Sequence, residues 1–170
     1  VGIDIYLEWD GIKEDDKQAQ WRTGFSVTAG GVGYLREAYH GGPYATKILC
    51  REAFESETCR ADIPAEILRE RLTNVTEPAY TGNNGHNMAM HMLAMLQSMG
   101  AEVVGGPIEE KDTTSPMTVE EAIRERQRRV YTGDNDEDTE HVVQSFRDFV
   151  SLAEQKERET GKPCTIYASY

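Results

Sequence analysis

The chain has 170 residues with 38% hydrophobic and 28% charged side chains, the size and balance of one globular domain. A domain of this length buries roughly 70% of its unfolded surface and needs no disulfide or metal staple. Its 30 acids against 18 bases leave a net charge of −12, which argues against a general nucleic-acid binder and against docking on anionic membranes.

The acidity suits solubility, and it equally suits a basic partner or imitation of a nucleic acid. Three cysteines, Cys50, Cys59 and Cys164, form no C-x-x-C pair. Reduced thiols and a cytoplasmic setting are the simplest account of them. No apolar run approaches the roughly 20 residues of a membrane helix.

In chain order, Val1 to Trp9 alternates, with Ile3, Ile5, Leu7 and Trp9 on one side and Asp4, Tyr6 and Glu8 on the other. Period two with β-branched and aromatic residues predicts a half-buried strand. Asp10-Gly11 marks a turn, and an acidic stretch follows to Asp16. Thr23 to Ala45 is rich in glycine and tyrosine. Within and just after it, Phe25–Val27, Val32–Leu35 and Lys47–Cys50 are expected as short strands.

Pro64 to Leu72 reads as a helix with proline at its first turn. Asn74 to Gly85 reads as loop, and Asn87 to Met99 as a helix apolar nearly all round, which such a helix must hide in the core or against a partner. Thr118 to Glu121 fits a capping box opening the next helix. Val142, Val143, Phe146, Phe149, Val150 and Ala153 form the apolar stripe of a last helix, closed by Gly161 and Pro163. Thr165 to Tyr170 alternates as a final strand. Strands at both ends and near the front, with helices in the second half, predict an α+β fold. Its sheet would be small and mostly antiparallel, covered on one face by about four helices.

Candidate chemistry falls in four places. Asp4 and Glu8 project from one strand face, where carboxylates suit a divalent metal such as Mg²⁺ or Mn²⁺, or act in acid–base work; the alternative is a solvated strand face. Tyr39, His40, Gly41, Gly42 and Tyr44 bracket a Gly-Gly turn. There His40 suits proton transfer and the backbone N–H groups suit an anion or other small molecule; the alternative is a tight turn whose tyrosines pack the core. His86 and His91, five apart, do not share a helical face for zinc. Met88, Met92, Met95 and Met99 offer an adaptable interface, a dimer seam or a partner groove, or else simple core filling. Arg124, Arg126, Arg128 and Arg129 share a helix with Glu120, Glu121 and Glu125, so ion pairing within the helix is expected rather than phosphate binding.

Gly2-Ile3-Asp4-Ile5-Tyr6 and Gly33-Tyr34-Leu35-Arg36-Glu37-Ala38-Tyr39 resemble pieces of small uncharacterised bacterial and phage proteins. The resemblance implies a microbial, cytosolic setting and carries no catalytic role or cofactor. It covers the two ends and the Gly/Tyr segment better than 74–116, which reads as an insertion holding the Met-rich helix within a single domain, 1–170.

Three functions follow as expectations. The first is a soluble acidic binding domain without catalysis, engaging a protein partner or a second copy. The second is a small metal- or His-dependent enzyme using Asp4, Glu8 and His40. The third is an acidic nucleic-acid mimic.

Overall fold

The computed structural model describes residues 2–38, 42–73, 116–130 and 136–170. Strand β1 (Gly2–Glu8) leads through helix α1 (Glu14–Arg22) and a 3-10 turn (Gly30–Val32) to strand β2 (Tyr34–Ala38). Helices α2 (Ala45–Leu49) and α3 (Arg51–Glu55), strand β3 (Arg60–Ile63) and helix α4 (Ala65–Thr73) follow. Helices α5 (Val119–Val130) and α6 (Asp136–Thr160) then lead to strand β4 (Cys164–Ser169). The four strands form one antiparallel sheet in the order β2-β1-β4-β3, so the fold is α+β as expected.

The alternation in β1 is the origin of the layers. Ile3, Ile5 and Leu7 turn to one face and join Leu35, Ile63, Ile166 and Ala168 from the other strands. Helices α2 to α6 close over that face. They bring Leu49, Phe54, Leu68, Ile123 and the Val143–Ala153 stripe into the same core. Among the described residues five helices cover this face, about the number expected, two of them short because the segment after Tyr44 coils into α2 and α3.

Local signals act as physical chemistry requires. The Thr118 backbone N–H donates to the Glu121 carboxylate at 2.7 Å, and the Glu121 N–H donates to the Thr118 hydroxyl at 3.1 Å. These two bonds form the capping box that satisfies free donors at the start of α5. Helix α6 ends at Gly161, whose φ of +71° suits glycine. The Glu157 carboxylate of α6 accepts the Ala65 N–H at 2.6 Å, which caps α4 from a neighbouring helix.

Three expectations are corrected. Lys47–Cys50 is not a strand; Lys47 to Leu49 lie in helix α2, whose residues Ala45, Thr46, Lys47 and Leu49 are buried. Phe25–Val27 is a bent turn, because Gly24 and Phe25 both adopt positive φ, +78° and +52°. The strand expected at Val32 starts only at Tyr34, since Gly33 is left-handed with φ +82°. Segments α1, α3 and β3 carried no expectation. The Met-rich region, with His86, His91, Met88, Met92, Met95 and Met99, lies outside the described residues, as do Tyr39, His40 and Gly41.

The 3-10 turn is pressed against α6. The Gly30 N–H donates to the Ser145 hydroxyl at 2.9 Å, and a Cβ placed on Gly30 would sit 1.7 Å from the Ser145 carbonyl oxygen. No side chain fits that approach without moving a backbone. Gly31, its neighbour, has nothing within 4 Å of such a Cβ. Gly30→Ala is expected to lower stability by about 1–3 kcal/mol, the scale of an overpacked core. Gly31→Ala should stay within about 0.5 kcal/mol of wild type. Urea denaturation of the two variants checks this pair, and equal midpoints would contradict the close approach.

Candidate functional site

The face of the sheet opposite helices α2 to α6 is built from register. Tyr6 of β1 stands between Tyr34 of β2 and Tyr167 of β4, and Tyr167 pairs with Arg60 of β3. One row across all four strands therefore reads Tyr34, Tyr6, Tyr167, Arg60. The rings interact: Tyr6 lies 5.3 Å from Tyr34 and stacks at 5.9 Å on Tyr167. The Arg60 guanidinium sits 4.6 Å from the Tyr167 ring centre. Such cross-strand aromatic and cation–π pairs each stabilise a sheet by roughly 0.2–1 kcal/mol.

Helix α1 adds the rim. Its amphipathic character is slight, yet Trp21 near its end stacks on Tyr6 at 5.1 Å. Phe25 in the following turn meets Trp21 edge-on at 5.9 Å and lies 6.0 Å from the Arg36 guanidinium. Trp21, Phe25 and Val27 remain 56%, 45% and 53% exposed.

Beside the aromatic row runs an ionic one. Asp4 Oδ1 accepts the Tyr34 hydroxyl at 2.6 Å and the Arg36 guanidinium at 2.7 Å. Gly2 leaves room for that guanidinium: a Cβ there would lie 3.0 Å from Arg36 Nη2. Further along, Glu8 pairs with Arg60 and the Thr165 hydroxyl donates to Asp62. Asp4 and Glu8 do share a face, as expected. They are four residues apart, about 13 Å along the strand, and each turns to its own arginine. Among the described residues no three His, Cys, Asp or Glu side chains converge on a metal-sized space.

The loop neighbourhood is organised differently. Glu37 falls on the core face and is buried, which requires full pairing of its charge. Its carboxylate accepts the N–H groups of Ala45 and Thr46 at 3.0 Å each, the Thr46 hydroxyl at 2.6 Å and Arg126 of α5 at 3.1 Å. Tyr44 is buried, with its ring 5.0 Å from the Lys47 ammonium, and Gly42 precedes it through a cis bond to Pro43. The expectation of pairing within α5 is corrected here. Arg128 does bond Glu125 on its own helix, but Arg124 reaches Glu140 and Arg126 reaches Glu37.

Sequence reasoning singled out Asp4 and Glu8 but missed Tyr6, Tyr34, Tyr167, Trp21 and Phe25 as one surface. Spacing within β1 gives the face of Tyr6; only strand pairing brings the other rings beside it. The carboxylates of this face are engaged, Asp4 by Tyr34 and Arg36 and Glu8 by Arg60. What the face offers at the surface is the exposed pair of rings, Trp21 and Phe25, beside a shielded tyrosine row and its ion pairs.

The phenols record this environment. Burial, followed by the charges of Asp4 and Tyr167, pushes Tyr6 up to about 12, with Arg36 opposing. Burial and the bond to Asp4 also raise Tyr34 well above the usual phenol value. Both groups keep their protons in the fold at pH values where the unfolded chain, with phenols near 10.0, has lost them. Their contribution to stability is therefore complete below pH 10 and falls as pH rises toward 12. In an ultraviolet phenolate titration, Tyr6 and Tyr34 should ionise only as the protein unfolds. Ionisation of all tyrosines near 10 in the folded state would contradict the burial of this row.

A comparison of the chain with protein-family models, curated proteins and solved structures finds no match.

Proposed function

We propose that this chain is a protein-interaction domain that takes a basic segment of a partner protein at the exposed rim made by Trp21 and Phe25, where α1 covers the tyrosine face of the sheet. The observation that carries the reading is the conformation of Phe25. A bulky side chain at φ +52° is a rare backbone state costing about 1–2 kcal/mol. Here that strain holds an aromatic ring out beside an exposed tryptophan instead of folding it inward. Strained residues of this kind concentrate where a ligand is held.

Composition agrees with the reading. Tyrosine, tryptophan and arginine are the residues enriched at interface cores, and a few of them carry most of the binding energy. A net charge of −12 draws in a cationic partner and speeds its encounter. The enzyme reading has less in its favour, because Asp4 and Glu8 are engaged by Tyr34, Arg36 and Arg60. Nucleic-acid mimicry is likewise less favoured, since Glu52, Glu120, Glu140 and Glu154 are each paired with arginine.

The test is calorimetric titration with an octa-arginine peptide at physiological salt. Trp21→Ala and Phe25→Gly should each weaken binding by about tenfold or more, as for an interface hot spot. Phe25→Gly should keep its unfolding free energy within about 1 kcal/mol of wild type, since glycine releases the strain. Glu66→Gln with Glu70→Gln, exposed acids on α4, should leave affinity within about twofold. Unchanged binding by the Trp21 and Phe25 variants, or an equal loss in the α4 variant, would overturn the reading.

A further inference from the structure

The two edges of the sheet differ. On β2, Tyr34 and Arg36 turn their backbone groups outward, and Ala29 and the Thr28 hydroxyl take them up. On β3 the alternation of the ladder fixes which residues turn outward. The Ala168 N–H donates to the Cys59 carbonyl at 2.9 Å. Cys59, and with it Ala61 and Ile63, therefore direct their backbone groups to β4. The alternate residues, Arg60 and Asp62, each direct an N–H and a C=O away from the sheet. None of these groups has a hydrogen bond among the described residues. Arg60 and Asp62 are exposed, and Pro64, without an N–H, ends the edge.

We propose that a second copy of the chain pairs with this edge, β3 against β3, antiparallel about a two-fold axis at Ala61. This contact is separate from the rim of Trp21 and Phe25. In that register Arg60 of each copy lies opposite Asp62 of the other. Both are outward-directed residues, so each such pair exchanges two backbone hydrogen bonds and symmetry supplies the second pair. All the outward groups of Arg60 and Asp62 are then satisfied at once. The two Ala61 residues meet at the centre as the closely spaced, non-hydrogen-bonded pair, with Cα atoms about 4.5 Å apart, where a small side chain fits.

Charge selects this occupant. Charged side chains on an edge ordinarily deter strand pairing, and like charges set opposite each other are destabilising. Here the two charges have opposite sign and stand two residues apart, so the strand is complementary to itself when antiparallel about Ala61. An axis at Arg60 or at Asp62 sets like charges together. Within one copy Arg60 already pairs with Glu8 and lies over Tyr167. Asp62 accepts the Thr165 hydroxyl, and no cation pairs with it among the described residues. A second copy brings that cation, and the five donors of a guanidinium serve Glu8 and the opposing Asp62 together. Each copy carries a net charge of −12, whose repulsion makes the dimer weak and dependent on concentration.

The experiment is sedimentation equilibrium over a concentration series at about 0.15 M salt, where charge is screened beyond roughly 8 Å. Thermal melts confirm that each variant folds. Wild type should pass from one-chain to two-chain mass as concentration rises. Asp62→Pro removes an outward N–H that a single copy does not use, a place where an edge strand tolerates proline, and should stay at one-chain mass. Asp62→Arg sets like charges opposite each other twice and should weaken the dimer by about tenfold or more. The swap Arg60→Asp with Asp62→Arg should bring it back to within about threefold of wild type. If Asp62→Pro does not fold, the charge variants decide alone. Trp21→Ala should dimerise as wild type does. One-chain mass of wild type throughout, or a dimer that persists in Asp62→Pro, would overturn the proposal. A dimer undiminished in Asp62→Arg, or not restored by the swap, would overturn the register about Ala61. Loss of the dimer in Trp21→Ala would place the contact at the aromatic rim and overturn the edge.

Discussion

Strand β1 is paired on both sides and buried on both faces, and the other layers take their places from it. Its Ile3, Ile5 and Leu7 seed the helical core, while Asp4 and Tyr6 on the reverse are nearly as buried. A half-buried strand would leave that reverse side wet. Here Tyr34, Tyr167 and Trp21 shield it, so the carboxylate of Asp4 has to be satisfied by Tyr34 and Arg36. The β2 edge is closed as well. Thr28 takes the Arg36 N–H and donates to the Arg36 carbonyl, and Ala29 bridges Tyr34. Such cover removes a template for unwanted strand pairing.

Ion pairs tie the helical layer to itself and to the sheet, despite the excess of acid. Arg126 joins α5 to β2 through Glu37, Arg71 joins α4 to α3 through Glu52, Arg69 joins α4 to α6 through Glu154, and Arg147 joins α6 to α5 through Glu120. The Arg71 guanidinium is mostly buried and also donates to the Leu49 carbonyl at 2.9 Å. It holds the Glu52 carboxyl below the usual carboxylate range. That pair contributes above the unfolded value of 4.5 and is lost as acid protonates Glu52. Arginine's fork suits the bidentate links of Arg69 and Arg71 better than lysine would.

Long, periodic elements were legible from residues alone. The β1 alternation, the Thr118 box, the α6 stripe and the β4 alternation each have several side chains agreeing on one period. Short ones were not. Lys47-Ile48-Leu49-Cys50 has no period of its own, and burial among other helices, not propensity, makes it helical. Helix α1 has only Ala19 and Trp21 as apolar residues, too few for a stripe. Arg60–Ile63 alternates for just four residues. The candidate face was half legible. Asp4 and Glu8 announced it, but Tyr34, Tyr167 and Trp21 joined them through register and packing that no local pattern encodes. Arg126 was misplaced because its partner, Glu37, is 89 residues away.

Two of the three thiols are buried in the core and the third is half-buried. Cys50 is enclosed between α2 and α3, and burial pushes its thiol far above the ordinary value. Cys164 opens β4, and burial raises it to about 11. Cys59 is only half-buried, in a left-handed turn with φ +55° just before β3. Because the thiolate is the reacting species, alkylation reaches Cys59 in the folded protein. It reaches Cys50 and Cys164 only when the core between helices and sheet opens, since both belong to that core and the Cys164 thiol donates to the Ala153 carbonyl of α6. The order in which the chain gains mass under a thiol reagent therefore separates a turn open to solvent from a core that has to open first.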